Sequence, residues 1–201
     1  MKGVGAALPA GDFSQVAYLG LGGNVGHRDR HLSRALFALA THPEISVTRV
    51  SRLYESQYVG PGSQADFLNA CVRINTRLAP RVLLAVLKSL EQRHGREMAG
   101  HMRPRPLDLD ILLMDGIIAF DPDLTLPHPR LRERLFVLAP LAEIAPDLEF
   151  PDSCETVAAA CAKIRRKAGP WVRPWSERSG WPARGRETQE DWRAALAIHC
   201  R

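Results

Sequence analysis

No apolar run in this chain of 201 residues approaches the length of a membrane span. Met1 to Phe13 is rich in Gly and Ala and lacks a continuous apolar stretch, which predicts no secretory signal. The four cysteines, Cys71, Cys154, Cys161 and Cys200, show no C-x-x-C spacing and so no thiolate metal framework. Reduced thiols in a cytoplasmic protein are the expectation. No internal repeat and no low-complexity tract occurs. Aromatic residues make up only 6%, and no predicted strand carries an aromatic pair, which speaks against a sheet that stacks RNA bases.

What is present fits a soluble globular domain. The hydrophobic fraction of 45% and charged fraction of 24% are ordinary, and the length suits one domain with a sizeable core. A net charge of +5 and a pI near 9.3 favour an anionic ligand without choosing between nucleotide and nucleic acid. Composition shifts after Gly169-Pro170, where all four tryptophans (Trp171, Trp175, Trp181, Trp192) lie among arginines. The expected organisation is a tail over 1–15, a domain over 16–168 and a Trp/Arg-rich extension over 169–201. The extension is expected to fold back on the domain or onto a partner, with a short helix from Glu190 to Ile198.

Val16 to Leu21 reads as a first buried strand, with Gly22-Gly23-Asn24 as the turn that ends it. Gly20, Gly22, Gly23 and Gly26 fit neither the dinucleotide fingerprint nor the P-loop. Periodicity predicts a helix over His27 to Thr41 on Leu32, Leu36 and Leu39, then a second strand over Ile45 to Tyr54. Gln57 to Gln64 reads as a loop. Phe67 to Leu78 alternates as a third strand, with Phe67, Asn69 and Cys71 on one face and Leu68, Ala70, Val72 and Ile74 on the other. A helix from Ala79-Pro80 through His94 follows, its stripe read as Val82, Val86 and Leu90. The loop Gly95 to Pro106 is long and rich in Arg, His and Gly, as lids over sites often are. Asp115-Gly116 reads as a hairpin turn with Ile117 to Phe120 as the returning strand. Leu124 to Arg130 is a proline-bound extended segment carrying His128. Helices are expected over Phe136 to Ile144 and over Thr156 to Ala168, the latter with Val157, Cys161 and Ile164 inward.

The stretch with most chemistry is Arg103-Pro-Arg-Pro-Leu-Asp-Leu-Asp-Ile-Leu-Leu-Met114. Its apolar run reads as a strand, and a strand sends Asp108 and Asp110 to one face, roughly 6.5 Å apart along the chain. Two carboxylates facing one way need positive charge between them, and hard oxygen donors favour magnesium. Arg103 and Arg105 would add charge for a polyanion such as a nucleotide phosphate. A bare D-x-D is as well explained as an acidic strand end beside surface arginines.

Taken together, Gly22-Gly23-Asn24, Phe67-Leu68-Asn69, Arg105-Pro-Leu-Asp-Leu-Asp-Ile111, Leu126-Pro-His128 and Pro140-Leu-Ala-Glu-Ile-Ala-Pro146 resemble the 6-hydroxymethyl-7,8-dihydropterin pyrophosphokinase family of folate biosynthesis. The resemblance runs in order from about Val16 to Pro151. It implies a ferredoxin-like α+β sandwich, a mainly antiparallel sheet with helices on its faces. The implied reaction moves the terminal pyrophosphate of ATP to the pterin hydroxymethyl group and releases AMP, with two Mg2+ ions and ATP as co-substrate.

By the same resemblance, Asp108 and Asp110 are the metal ligands and, with Arg96 and Arg105, the catalytic set. Ser56, Tyr58, Val59, Gly60, Phe67, Asn69 and Phe136 are expected at the pterin. Lys88, Glu91, Arg96, Arg105, Ile111, Thr125, His128 and Arg134 are expected around ATP. Three departures fall in the loop that closes over ATP in the family. Arg103 stands where Gly or Ala is usual, Met102 where Trp is common, and His101 where an arginine is expected. Two other readings remain: a non-catalytic paralogue that binds pterin or nucleotide, suggested by those departures, and a basic nucleic-acid-binding domain, suggested by the Trp/Arg tail. Small-molecule substrates are the expected partners, without membrane.

Overall fold

The computed structural model describes residues 15–95, 103–167, 169–176 and 181–182. At its centre lies β1 (Gln15–Gly23), hydrogen-bonded on one side to β4 (Phe67–Thr76) and on the other to β5 (Asp108–Met114). Both pairings are antiparallel. Gly22 and Gly23 do not form the expected turn; they continue the ladder opposite Asn69 and Leu68, and the turn begins at Asn24. The reason is close approach: a Cβ on Gly23 would lie 2.3 Å from the Pro106 carbonyl oxygen, so only glycine lets the two backbones pass.

The α1 helix (Arg28–Thr41) follows, and Leu32, Leu36 and Leu39 are fully buried as their spacing required. The expected second strand is two pieces, β2 (Ile45–Val50) and β3 (Tyr54–Ser56), which pair in tandem with the same edge of β4. Ser51 breaks the run: its N–H donates to the Cys71 carbonyl and its hydroxyl accepts from the Cys71 N–H, both at 2.9 Å. On α2 (Pro80–Arg93) the buried stripe is Leu83, Leu87, Leu90 and Glu91, while Val82 is 50% exposed. The Val and Leu stripes have the same helical period one position apart, and the larger leucines win the core, each worth about 1.5–3 kcal/mol when buried.

Asp115-Gly116 does turn the chain, with Gly116 at φ +68°. The segment after it is not the partner of β5. Instead β6 (Ala119–Phe120) pairs with β7 (Thr125–Leu126) in a separate two-stranded sheet. Leu112, which the β1–β5 register skips, gives its carbonyl to the His128 N–H at 2.8 Å, so the segment carrying His128 docks there.

The α3 helix (Leu135–Ile144) and α4 (Val157–Arg165) cover the opposite face from α1 and α2. Thr156 caps α4 by accepting from the Ala159 N–H at 3.2 Å, and Val157, Ala160 and Cys161 are its buried residues, with Ile164 half-buried. The tail then returns to the sheet: β8 (Val172–Pro174) pairs antiparallel with β3. Trp175 and Trp181 pack partly against the core, and the Trp181 indole donates to the Ser51 carbonyl at 2.8 Å. The helix expected over Glu190 to Ile198 lies outside the described residues, as does Trp192.

The result is a six-stranded antiparallel sheet in the order β5-β1-β4-β3-β8, with β2 beside β4, and a helix pair on each face. This is the expected α+β sandwich. No helix among the described residues is long and apolar enough to cross a membrane.

Candidate active site

Strand alternation sorts β5 into two faces. Leu109 and Ile111 enter the core beneath α1 and α2, while Asp108, Asp110 and Leu112 line a cavity of about 410 Å³ on the other face. On β1, Gly22 stands opposite Asp108 and Gly20 opposite Asp110. These glycines leave the cavity floor without side chains. One row across the sheet therefore reads Asp108, Gly22, Asn69, Tyr54. The carboxylate and the Asn69 amide lie two strand spacings apart, about 10 Å, with open backbone between them.

At the Asn69 end the cavity is lined by amides and aromatic rings. Asn69, 5% exposed, donates its amide N–H to the Ser56 hydroxyl at 3.0 Å. Phe67 stacks on Tyr58 with ring centroids 6.2 Å apart and planes 18° from parallel. Val59 lines the same end, and Phe136 faces it from α3. Cys71 is in the wall, but burial pushes its thiol well above the ordinary range, so it stays protonated and unreactive.

At the carboxylate end the cavity is cationic. Arg105 Nη1 lies 3.4 Å from Asp108, and its guanidinium sits 6.0 Å over the Phe67 ring. Arg134 lies 5.5 Å over Phe136; burial, and then Arg130, hold its pKa below the usual arginine range. Burial likewise lowers the His128 pKa, with Asp110 pulling the other way, so the imidazole is neutral at pH 7. An arginine pair and a neutral imidazole beside two carboxylates make a place for phosphate oxygens and a hard cation.

Of the expected residues, the cavity brings together Ser56, Tyr58, Val59, Phe67, Asn69, Arg105, Asp108, Asp110, His128, Arg134 and Phe136. Gly60 is exposed on the loop beside it. Lys88, Glu91, Ile111 and Thr125 are not in its wall. Glu91 is 1% exposed: it accepts from the Leu109 N–H at 2.7 Å and pairs with Lys88 at 3.1 Å. Thr125 Oγ1 reaches the Asp121 carbonyl at 3.4 Å. Arg96, His101 and Met102 lie outside the described residues; Arg103 lines the cavity. Sequence reasoning missed Gln57, Gln64, Arg130, Lys167 and Val172. Arg130 could have been found from its place two residues after His128. Lys167 and Val172 had no such signal, since only the return of the tail to β3 brings them in.

A sequence model of the 7,8-dihydro-6-hydroxymethylpterin-pyrophosphokinase (HPPK) family matches residues 18–146. The chain belongs to this family. It is 40% identical over 167 residues to a 2-amino-4-hydroxy-6-hydroxymethyldihydropteridine pyrophosphokinase of Bacillus subtilis, covering 83% of this chain and 94% of the relative. To the protein of that name from Methylorubrum extorquens it is 45% identical over 148 residues, 74% of this chain and 92% of the relative. An HPPK-DHPS solved in complex with substrates superposes with a TM-score of 0.58 at 15% identity, over 74% of this chain and 43% of that one. Plasmodium falciparum HPPK-DHPS A437G with SDX-DHP gives 0.59 at 16% identity, over 74% and 45%. At such identity the likeness shows the fold, and this chain spans under half of those longer chains. As an HPPK, the chain is an ATP-dependent diphosphotransferase of folate biosynthesis.

Proposed function

We propose that the chain transfers the terminal pyrophosphate of ATP to the hydroxymethyl group of 6-hydroxymethyl-7,8-dihydropterin. The observation that carries the reading is the row Asp108, Gly22, Asn69, which sets a carboxylate and a ring-reading amide about 10 Å apart in one cavity. The pterin would lie between Phe67 and Phe136, its ring edge on Asn69 and on backbone of the Ser56–Gly60 loop. The triphosphate would lie along Arg105, Arg134 and His128. The substrate hydroxyl oxygen bonds to the β-phosphorus as the bond from that phosphorus to the α,β-bridging oxygen breaks. AMP leaves with that oxygen, and the hydroxyl proton goes to solvent.

The donor set fits magnesium. Magnesium keeps several waters and takes one or two carboxylates plus substrate phosphates, so it needs no closed cage of protein ligands. Asp108 and Asp110 both face the cavity, and their carboxylates are the groups that would hold it. Two ions on these carboxylates are part of the proposal; bound there, they would neutralise phosphate charge and make the attacking hydroxyl more acidic. Arg105 beside Asp108 keeps positive charge where the transferred group must pass, and Phe67 and Phe136 hold the acceptor ring in line. We assign ATP contacts to Lys88, Glu91, Arg96, Ile111 and Thr125 only by family resemblance, and place the reaction in the cytoplasm.

ATP labelled at the β-phosphorus tests this reading. Label recovered in a pterin diphosphate, with unlabelled AMP, supports it. Label retained in ADP beside a pterin monophosphate contradicts it.

A further inference from the structure

The loop between β3 and β4, residues 57–66, carries Tyr58, Val59 and Gln64 into the cavity, yet holds no regular structure of its own. A loop of that length is costly to order at the moment of binding. Both of its ends are tied down, and one side chain links the two ties. Glu55, on β3, accepts from Arg28 Nη2 through Oε1 at 3.0 Å and from Arg173 Nη2 through Oε2 at 2.8 Å. Arg28, at the start of α1, also donates through Nη1 to the Asp66 carbonyl at 2.7 Å, at the far end of the loop. Arg173 belongs to β8, whose neighbour Trp171 accepts from the Gln57 N–H at 3.1 Å, at the near end. The Arg173 guanidinium lies 4.7 Å over the Trp171 ring. Ser56 is thereby held between Phe67 and Val172.

We propose that Glu55 is a positioning residue for the substrate loop: with Arg28 and Arg173 it clamps both ends of residues 57–66, so that the tail beyond the family match is part of the acceptor site. The identity of the acceptor rests on the function proposed above; the clamp itself does not. Burial alone would raise the Glu55 pKa, and the hydrogen bonds from Arg173 and Arg28 outweigh it, holding the carboxyl below the usual range and therefore ionised at neutral pH. Arg173 is mostly exposed, so its pair with Glu55 is worth little as stability. Its effect is to be sought in loop geometry, where a small misplacement is felt in binding.

The test uses the full chain with Glu55→Gln, Arg173→Ala and Arg173→Lys. Steady-state kinetics should show the pterin KM raised about five- to tenfold in Glu55→Gln and Arg173→Ala, with ATP KM and kcat within about twofold of wild type. Arg173→Lys, which keeps a charge at the site, should recover most of the loss. Hydrogen exchange of the 57–66 amides, without substrates, should be faster in Glu55→Gln than in wild type. Unchanged loop exchange overturns the clamp. So does a joint rise of pterin and ATP KM with a large fall in Tm, which would mark Glu55 as merely structural. If the wild-type chain turned over no pterin, the functional reading would fail, and loop exchange alone would still decide the clamp.

Discussion

Asn24 and Arg105 hold each other by two hydrogen bonds: the Arg105 N–H donates to Asn24 Oδ1 at 2.8 Å, and the Asn24 N–H donates to the Arg105 carbonyl at 3.0 Å. The Asn24 Nδ2 donates further to Gln64 Oε1 at 3.0 Å and to the Ala65 carbonyl at 3.3 Å. One buried amide thus joins the end of β1, the loop over the acceptor end and the lead into Asp108. The Gly23 contact with Pro106 places the two backbones close enough for this to happen.

Asn24→Ala removes the acceptor of the partly buried Arg105 N–H and the buried amide that bonds Gln64 and Ala65. It should destabilise the fold by about 1–3 kcal/mol, read from urea unfolding. Asn24→Asp keeps the acceptor for Arg105 and loses the donor to Gln64 and Ala65. It should therefore retain more stability than the alanine variant while raising the pterin KM. Equal stability in wild type and Asn24→Ala would contradict the bonding described.

Asp108→Ala and Asp110→Ala should each lower kcat by about a thousandfold or more while leaving far-UV circular dichroism intact. Neither carboxylate lies in the core: both line the cavity, Asp108 beside Arg105 and Asp110 opposite Gly20. Near-normal turnover in either variant would remove the metal assignment.

Glu91 is buried and holds both the Leu109 N–H and Lys88, so Glu91→Ala should cost about 2–3 kcal/mol of stability. Glu91→Gln keeps an acceptor for Leu109 and should recover part of it. The ATP KM of Glu91→Gln, measured alongside, assigns the residue: a change confined to stability marks a support for β5, and a change confined to KM marks a nucleotide contact.

The pH dependence of stability follows from His128. Burial lowers its folded pKa below 6.5, so the native imidazole stays neutral while the unfolded one takes up a proton. In the window from 6.5 down to the folded value, the unfolded state binds more protons, and stability falls as pH falls. His31, lowered first by its own burial and then by His94, acts in the same direction. His128→Gln should flatten part of the decline in urea midpoint between pH 7.5 and 5, leaving the His31 share. An unchanged slope would show that His128 takes up its proton in the fold as readily as in the unfolded chain, and would contradict the lowered value.

Much of this was legible in the chain. Alternation in Phe67 to Ile74 placed Asn69 and Leu68 on opposite faces, and Asp108 and Asp110 fell together because a strand has period two. The motifs around them named the family. What was not legible depended on partners distant in sequence. Val82 and Leu83 head equally periodic stripes, and only packing chooses between them. Ile117 to Phe120 looked like the return of a hairpin because the docking of His128 on Leu112 is invisible locally. Val172 to Pro174 is three residues long, too short for any pattern, and its place beside β3 is fixed by Glu55, Trp171 and Leu53.

The most direct test of the central claim is release of AMP by the purified chain from ATP, with and without magnesium and 6-hydroxymethyl-7,8-dihydropterin. The account predicts AMP only when both are present, and from Asp110→Ala a rate lower by about a thousandfold or more. AMP formed without the pterin, or a folded wild-type chain that binds both substrates and forms no AMP, would contradict it.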